Sequence, residues 1–380
     1  MRSFVSSRLA EKDALLVLNA INGFGIKRIR QLIEQFGSAA QALQAPVDFF
    51  IRYPGIPQAT RDLIPRFDTD AFLKKDHHAC ARFGARVVTF MDDDYPESLH
   101  QISDQPVVLY VSGQWPKRLD CGVAIVGSRR ASLYGLQIAE RFAVELAELG
   151  VPVISGLARG VDGAAHQGAL RAGGSTVAVL GCGMDIVYPP EHAQLYRDIK
   201  AKGCLVSEFA FGTPPVPFNF PRRNRIVSGL SLGVVVVEAN IKSGALVTAG
   251  IALEQGREVF AVPGRIDSDV SAGPHALIEQ GAKTVLSVQD ILEELPVQLV
   301  RSSPQTEKTS EQVCVQSLSN DQRLVFGFIK DGHLTYEALE KETGFGPTAL
   351  APALLALELL GKIVQKPGKM YVLKGVQEKV

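Results

Sequence analysis

The chain has 380 residues, of which 46% are hydrophobic and 21% charged, values typical of a globular protein with two or three domains. Its 40 basic and 40 acidic residues balance, so any nucleic-acid binding must come from a local basic site and not from overall charge. No apolar run of about 18 residues and no apolar N-terminal segment behind a basic cap are present, which predicts no membrane span, no signal peptide and a cytoplasmic location.

The cysteines show neither the spacing of a metal site nor that of a redox pair. Their number is odd, and they are scattered along the chain. We therefore predict reduced thiols, no bound metal and no cofactor. The five positions are Cys80, Cys121, Cys182, Cys204 and Cys314.

Residues 1–85 are predicted to form a helical domain of the SAM/helix-hairpin-helix-like type. Two glycines two positions apart, in the segment Ile21–Ile26, indicate a tight turn between two helices, and Lys27, Arg28 and Arg30 open the second helix. Such a turn can present backbone N–H groups to a phosphate. An ordinary turn of a helical bundle with surface lysines explains the pattern equally well.

Residues 86–296 alternate short apolar strands with amphipathic helices. Continuous apolar strands of this kind indicate a parallel sheet covered on both faces, hence a doubly wound (Rossmann-like) α/β domain. Ligands of such domains bind at the carboxyl ends of the strands. The predicted strands are Val123–Val126, Val151–Ile154, Thr176–Leu180, Cys204–Ser207, Val234–Val237 and Val259–Val262.

Residues 297–320 are predicted to be a linker, because they are rich in Ser, Gln, Thr and Glu. Residues 321–380 follow the pattern of three helices and a hairpin, which predicts a winged helix that binds duplex DNA or another protein. The third helix, Pro347–Leu360, carries no Arg or Lys. A small interaction or dimer module is therefore at least as compatible with the pattern.

Four segments at strand ends or helix starts join small residues to hydroxyl groups or cations. Small residues let a phosphate approach the backbone, helix starts favour anions, and arginine adds bidentate contacts to phosphate oxygens. Together they predict a site for a phosphate-rich ligand. Its residues are Gly127, Ser128, Arg129 and Ser132; Ser155, Gly156, Arg159 and Gly160; Arg222, Arg223, Asn224 and Arg225; and Lys242, Ser243, Gly244 and Thr248.

Residues near these four segments are predicted to have structural roles. Phe218 and Phe220 are predicted to pack in the core rather than stack on bases. Asp162 is predicted to cap the helix that starts there, His166 to make a structural hydrogen bond, and Glu238 to orient an arginine across the rim. No catalytic residue is predicted.

Dinucleotide and P-loop sites do not match the sequence. The first strand of the α/β domain ends in Gly-Ser-Arg, and Ile186 stands where a Gly-x-Gly-x-x-Gly motif starting at Gly181 needs its third glycine. A Gly-x-x-x-x-Gly-Lys-Ser/Thr motif is missing from the chain.

These residues resemble the bacterial DNA-processing protein A (DprA, also called Smf) family over about residues 90–295. Departures are mild: His275 replaces a usual Asn, and Ala245 and Val247 replace a usual Ser and Ile, which removes one hydroxyl. The resemblance is carried by Gly127–Ser132, Ser155–His166, Ala178–Pro189, Phe220–Ile226, Val237–Ala249 and Val262–Gly264.

The resemblance implies a protein that is not an enzyme and binds single-stranded DNA without sequence preference. It further implies a homodimer through the Rossmann-like domain, transfer of the strand to the RecA recombinase, and protection of incoming DNA during natural transformation. An alternative on the same fold is a nucleotide phosphoribohydrolase of the LOG (lysine-decarboxylase-like) type. Such enzymes carry Pro-Gly-Gly-x-Gly-Thr and then a glutamate, whereas here Ala249 and Gly250 follow the threonine. A third alternative is a scaffold whose winged helix recruits partners.

Overall fold

The structure is a computed structural model that describes residues 4, 9–21, 23–295, 319–330, 335–359, 363–366 and 370–373. The described residues belong to two compact units, Met1–Ser302 and Ser303–Val380. Several predicted features lie outside the described residues: 297–318 of the linker, Asn22 of the glycine turn, Cys314, Leu360 at the end of the third winged-helix helix, and residues 367–369 of the last hairpin.

The first unit begins with a group of short helices. Ile26, Ile29 and Leu32 are buried at helical spacing on the second of them, which places one apolar stripe against its neighbours. That helix ends at Gly37, whose φ of 87° lies in the left-handed region that glycine adopts without strain. The helices are α1 (Glu11–Ala20), α2 (Ile26–Phe36), α3 (Ala39–Ala42), α4 (Val47–Arg52), α5 (Gln58–Leu63) and α6 (Thr69–Phe83).

A nine-stranded sheet follows, with the order β1-β2-β6-β5-β4-β3-β7-β8-β9. The seven strands from β6 to β9 in this order are parallel, and β1 and β2 extend the sheet antiparallel at one edge. The strands are β1 (Ala85–Thr89), β2 (Val108–Gly113), β3 (Val123–Val126), β4 (Val153–Ser155), β5 (Thr176–Leu180), β6 (Cys204–Ser207), β7 (Gly233–Val236), β8 (Glu258–Ala261) and β9 (Lys283–Thr284).

Helices cover both faces of this sheet, as the strand β3 illustrates. Its residues Val123 and Ile125 pack in one apolar core and the alternating Ala124 and Val126 in another. A strand buried on both faces must be apolar at every position, and this explains the runs of valine. The helices are α7 (Glu97–His100), α8 (Leu133–Glu148), α9 (Val161–Arg171), α10 (Ala193–Lys202), α11 (Asn219–Gly229), α12 (Gly244–Glu254), α13 (Ala272–Glu279) and α14 (Val288–Glu294).

The strand order determines where a ligand can bind. From β3 the chain adds β4, β5 and β6 in one direction, then crosses back to β7 on the other side of β3. The carboxyl ends of β3 and β7 therefore form the switch point at which open α/β sheets bind ligands.

The second unit has the helix and strand order of a winged helix. Helices Asn320–Lys330, Tyr336–Thr343 and Pro347–Leu359 precede an antiparallel pair of strands, β10 (Ile363–Lys366) and β11 (Met370–Leu373). The predicted fold class, an α/β fold with a large and mainly parallel sheet and a C-terminal winged helix, is confirmed. In the part of the chain that the structure describes, no helix has the length and apolar character to span a bilayer.

Close packing of α8 on α9 depends on Gly168. A Cβ at this position would overlap the backbone oxygen of Glu140 and approach Ala143 Cβ to 2.9 Å. We expect Gly168→Ala to lower the free energy of unfolding by about 1–3 kcal/mol, because the two helices must separate to accept the methyl group. Urea denaturation of the purified protein measures this change.

Gly327→Ala is the matched control for this prediction. Gly327 lies in the helix Asn320–Lys330, and a methyl group added there would have no other atom within 4 Å, so alanine should be neutral or stabilise by about 0.5–1 kcal/mol. Equal effects of the two substitutions would contradict the packing argument.

Candidate nucleic-acid-binding site

The loops after β3, β4 and β5 meet the start of α11 at a narrow cleft. About 10 Å³ of the cleft is accessible to a water-sized group, so the cleft has room for roughly one water molecule. The cleft joins two of the predicted loops and the predicted arginine segment at one rim. Its lining includes Arg129, Gly156, Arg159, Gly181, Tyr188 and Phe220.

Arg129 is the exposed cation at the mouth of the cleft. Its guanidinium carbon lies 5.1 Å from the ring centroid of Phe220, and that ring lies 5.3 Å from the ring of Tyr188. Among the described residues, no carboxylate forms an ion pair with Arg129. The aromatic ring therefore positions the cation while its N–H groups stay available to an anion.

Arg223 is the buried cation beneath the cleft, with 4% of its surface exposed. Its guanidinium lies against Gly156, where any Cβ would overlap it. Burial lowers the pKa of Arg223 to about 10, and the negative charge of Asp162 opposes this shift. No described carboxylate forms an ion pair with Arg223, and its Nε has no hydrogen-bond partner. A buried cation without such a partner favours an anion in the cleft.

Asp162 holds the loop after β4 rather than the helix that follows. Its carboxylate accepts N–H groups from Gly156 at 3.1 Å and Ala158 at 3.3 Å. Burial raises the pKa of Asp162, and Arg223 opposes the shift. The predicted helix cap is therefore wrong: α9 has Gly160 at its N-cap position, and no side chain caps it.

The same loop has an unusual backbone. Leu157 is buried with a φ of 56°, which is a costly conformation for a branched side chain. Gly160 has a φ of 75°, and a Cβ there would overlap the backbone oxygen of Ser128. Gly127 is equally crowded, since its Cβ would meet Val161 Cγ2 at 2.6 Å. These glycines allow the β3 and β4 loops to touch.

Glu238 joins the loops of β3 and β7 at the switch point. It accepts the Ser132 hydroxyl at 2.6 Å and the Ser132 N–H at 2.8 Å. Ser132 in turn caps α8 by accepting the Gly135 N–H at 3.2 Å. The prediction that Glu238 orients an arginine is wrong, because it orients a serine instead. The Ser132 hydroxyl is thus committed within the protein.

Two other predicted phosphate ligands also face inward. The Ser155 hydroxyl is fully buried and donates to Ile125 O at 2.7 Å. The Thr248 hydroxyl is buried and donates to Gly244 O at 3.2 Å, one turn back in α12. Both positions are corrections to the predicted site, because small hydroxyl groups on buried backbone satisfy nearby carbonyls.

The arginine segment is helical, and its residues separate onto different sides of α11. Arg222 and Arg225, three positions apart, share a side, whereas Arg223 is turned by about 100°. Glu208 Oε2 accepts from Arg222 at 3.2 Å and also pairs with Arg225. Arg225 is buried, and neither Arg222 nor Arg225 lines the cleft around Arg129, so their contact with a phosphate-rich ligand stays a prediction.

Two predicted residues, Ser128 and Arg159, lie at the rim of the cleft and are bonded to other residues of the protein. Ser128 Oγ accepts the Arg130 N–H at 3.1 Å, and the Ser128 N–H donates to Glu238 O at 2.6 Å. Arg159 is exposed and pairs with Glu191, which raises the pKa of Arg159.

The last predicted segment forms the start of α12. Ser243 caps this helix by accepting the Ala245 N–H at 3.2 Å, and Gly244 is its first residue. Lys242 is exposed just before the cap. Asn224 donates to Gly244 O at 3.5 Å, so it connects α11 to this helix start.

The aromatic residues differ most from the predictions. Phe218 has 76% of its surface exposed, so its predicted place in the core is wrong. Phe220 is half-buried between Arg129 and Tyr188. Tyr188 was not predicted at all. The prolines just before Phe218, which keep it on a loop, were the available sequence signal.

His166 makes the structural hydrogen bond predicted for it. Its Nδ1 lies 2.7 Å from the Thr176 hydroxyl, which itself donates to Val153 O, so Nδ1 carries the proton. Burial lowers the pKa of His166 to about 3. The ring therefore stays neutral at physiological pH.

This burial predicts a loss of stability in acid. The unfolded chain takes up a proton near pH 6.5, whereas folded His166 does so only near pH 3. The contribution of neutral His166 is fully present above about pH 6.5 and falls by about 1.4 kcal/mol per pH unit below it. Urea titrations at pH 7.0 and pH 5.0 measure the loss of unfolding free energy on acidification. This loss should be smaller for His166→Asn, which keeps a donor near Thr176, than for the unmodified protein. Equal losses in both proteins would exclude His166 as the titrating group.

The described ranges contain no group of three or more His, Cys, Asp or Glu residues placed to hold a metal ion. The cysteines at 80, 121, 182 and 204 are buried and form no disulfide in the described structure.

The fold and the cleft define a class: a Rossmann-like α/β protein with a cleft bordered by cations at the carboxyl ends of β3, β4 and β5, followed along the chain by a winged helix. Sequence comparison then identifies the family. The family model described as DNA recombination-mediator protein A matches residues 86–296, and the DprA winged helix domain matches residues 310–369. The chain belongs to the DNA recombination-mediator protein A family.

Relatives and solved structures agree with this membership. Protein Smf of Escherichia coli is 42% identical over 275 residues, covering 72% of this chain and 74% of that protein. DNA processing protein DprA of Streptococcus pneumoniae is 42% identical over 225 residues, covering 59% of this chain and 78% of that protein.

The crystal structure of the Streptococcus pneumoniae DprA protein is similar, with a TM-score of 0.66 and 35% identity over 76% of this chain and 99% of that chain. A structure of DNA processing protein A from Helicobacter pylori is described for its single-stranded DNA binding mode. It has a TM-score of 0.51 and 30% identity, and the match covers 56% of this chain and 96% of that chain.

Proposed function

We propose that this protein binds single-stranded DNA at the cleft, protects incoming strands during natural transformation and passes them to the RecA recombinase. The observation that carries the proposal is Arg223, a buried cation without an ion-paired carboxylate among the described residues, which lies against Gly156 in the loop after β4. The single-stranded DNA binding described for the Helicobacter pylori relative supports the choice of ligand.

The chemistry of the cleft suits a single strand better than a duplex. Single-strand sites combine cations that follow the phosphates with aromatic side chains on which bases stack. Here Arg129 and Arg223 supply the charge, and Phe220, Tyr188 and the exposed Phe218 supply the rings.

Arg129→Ala tests this site. We expect affinity for a single-stranded oligonucleotide to fall about tenfold or more at low salt, because a charge-assisted contact to phosphate is lost. The slope of log affinity against log salt should decrease by about 0.7. Fluorescence anisotropy across a salt series measures both quantities.

Arg171→Ala is the charge-matched control. Arg171 is exposed at the end of α9 and pairs with Glu140, away from the cleft. Its loss should leave affinity and salt slope close to those of the unmodified protein. Equal losses for the two variants would mean that binding follows overall charge, and the cleft would not be the site.

The phosphoribohydrolase alternative needs a carboxylate that is free to act on a sugar. In the described structure the carboxylates around the cleft are committed: Asp162 holds loop N–H groups, Glu191 pairs with Arg159, and Glu238 holds Ser132. We therefore expect no release of free base from nucleoside monophosphates.

We further propose that the protein is a homodimer through its Rossmann-like domain, with α12 in the interface. The support is an exposed apolar group on and beside this helix, formed by Ile241, Val247 and Leu253. Large exposed apolar side chains that cluster mark interaction surfaces. The winged helix, whose third helix lacks basic residues, is proposed as a protein-contact module.

The double substitution Val247→Glu/Leu253→Glu should convert dimer to monomer, because two charges per subunit would be buried against apolar partners. Sedimentation velocity measures the change in mass. Ile266→Glu is the control, since Ile266 is 95% exposed on a separate loop. A dimer that survives the double substitution would place the interface elsewhere.

A further inference from the structure

A second opening lies on the other side of α11 from the buried Arg223. It is a groove of about 320 Å³ between the α/β part and the glycine turn before α2. This volume is within the range of small-ligand sites. Its lining includes Gly23, Gly25, Gln105, Glu208, Phe218 and Arg225.

Buried polar atoms without partners are concentrated in this groove. Gln105 is 2% exposed, and neither its Nε2 nor its Oε1 has a hydrogen-bond partner in the described structure. The same is true of Glu208 Oε1 and of Arg225 Nη1. Folded proteins rarely leave such atoms unsatisfied, because each one loses its hydrogen bonds to water and gains none in return. The three residues that carry these four atoms all line one groove, which indicates a polar ligand there.

The orphaned atoms combine donors and acceptors. The Gln105 amide offers one of each kind, Arg225 donates, and Glu208 accepts. A metal ion or a phosphate would use only one kind of group. The edge of a nucleobase presents donors and acceptors side by side, and proteins recognise an extruded base by such contacts.

The mouth of the groove carries an aromatic surface. Phe218 is largely exposed and lines the groove just before α11 begins. Only Asn219 separates it from Phe220, which lies over the cleft. One aromatic ring thus lies at the cleft and another at the groove, two positions apart on the chain.

The opposite wall of the groove is fixed in position. Arg28 donates to Gly23 O at 2.6 Å and to Gly55 O at 3.0 Å, which fixes the glycine turn. Asn19 donates to Glu208 O at 3.0 Å and ties α1 to the end of β6. The groove is thus built by both parts of the first unit.

We propose that this groove binds one base of the same single strand, stacked on Phe218 and hydrogen-bonded by Gln105, Glu208 and Arg225. The proposal rests on the proposed function, single-strand binding at the cleft. It extends the DNA path onto the N-terminal helices and assigns them a role in binding.

The test compares a short strand with a long one. Oligonucleotides of about 6 and about 20 nucleotides span the range that such sites cover. Phe218→Ala should weaken binding of the long strand about 5- to 100-fold, the effect of losing one stacked base, and should leave the short strand unaffected. Phe218→Tyr should restore affinity for the long strand. Val216→Ala, a partly exposed apolar residue of the same loop outside the groove lining, is the control.

Gln105→Leu tests the polar contacts independently of the ring. It removes two unsatisfied atoms at similar volume, so thermal stability should not decrease, while affinity for the long strand should. If Arg129→Ala weakens both strands but Phe218→Ala and Gln105→Leu weaken neither, the groove holds no base and only this inference fails. If Arg129→Ala has no effect, the proposed function fails.

Discussion

The burial of Arg223 against Gly156 is the constraint on which the site depends. Removing a guanidinium from water costs several kcal/mol unless nearby charges and dipoles compensate. Asp162 supplies part of this compensation, and the same carboxylate holds the N–H groups of Gly156 and Ala158. Charge, loop shape and the absence of a side chain at Gly156 are therefore linked. Changing one of the three alters the other two.

This linkage explains why the loop tolerates an unfavourable backbone. Leu157 adopts a positive φ although its side chain is buried and branched. Such strain persists only where the surroundings determine the conformation, and it is concentrated at functional sites. The loop is held by Asp162 on one side and by the contact of Gly160 with Ser128 on the other. A cation fixed in this way is already oriented before an anion arrives, so binding requires little reorganisation.

The sequence was sufficient to predict six of the seven parallel strands, because burial on both faces requires continuous apolar runs such as Val234–Val237. The seventh, β9, was missed because its two residues are polar and exposed. It also located the loops of the site, since strand ends and helix starts have local signatures. The antiparallel strands β1 and β2 were not predicted, because their place in the sheet depends on pairing between distant segments. Directions of side chains were the main source of error: Ser155 and Thr248 have the residue type of a phosphate ligand but point to backbone carbonyls.

The arginine segment shows why residue type and spacing alone could not resolve the site. As a helix, α11 places Arg223 against Gly156, which lines the cleft, and directs Arg222 and Arg225 to Glu208, so one short motif serves two surfaces. The unsatisfied atoms on the second surface are a cost to the folded state, and net stabilities of about 5–15 kcal/mol leave little room for such costs. Local rules are usually broken at functional sites, where binding compensates for the loss. Under the proposed function and the further inference, a chain with no net charge would hold a polyanion through two surfaces on opposite sides of one helix, without the rest of the protein being basic.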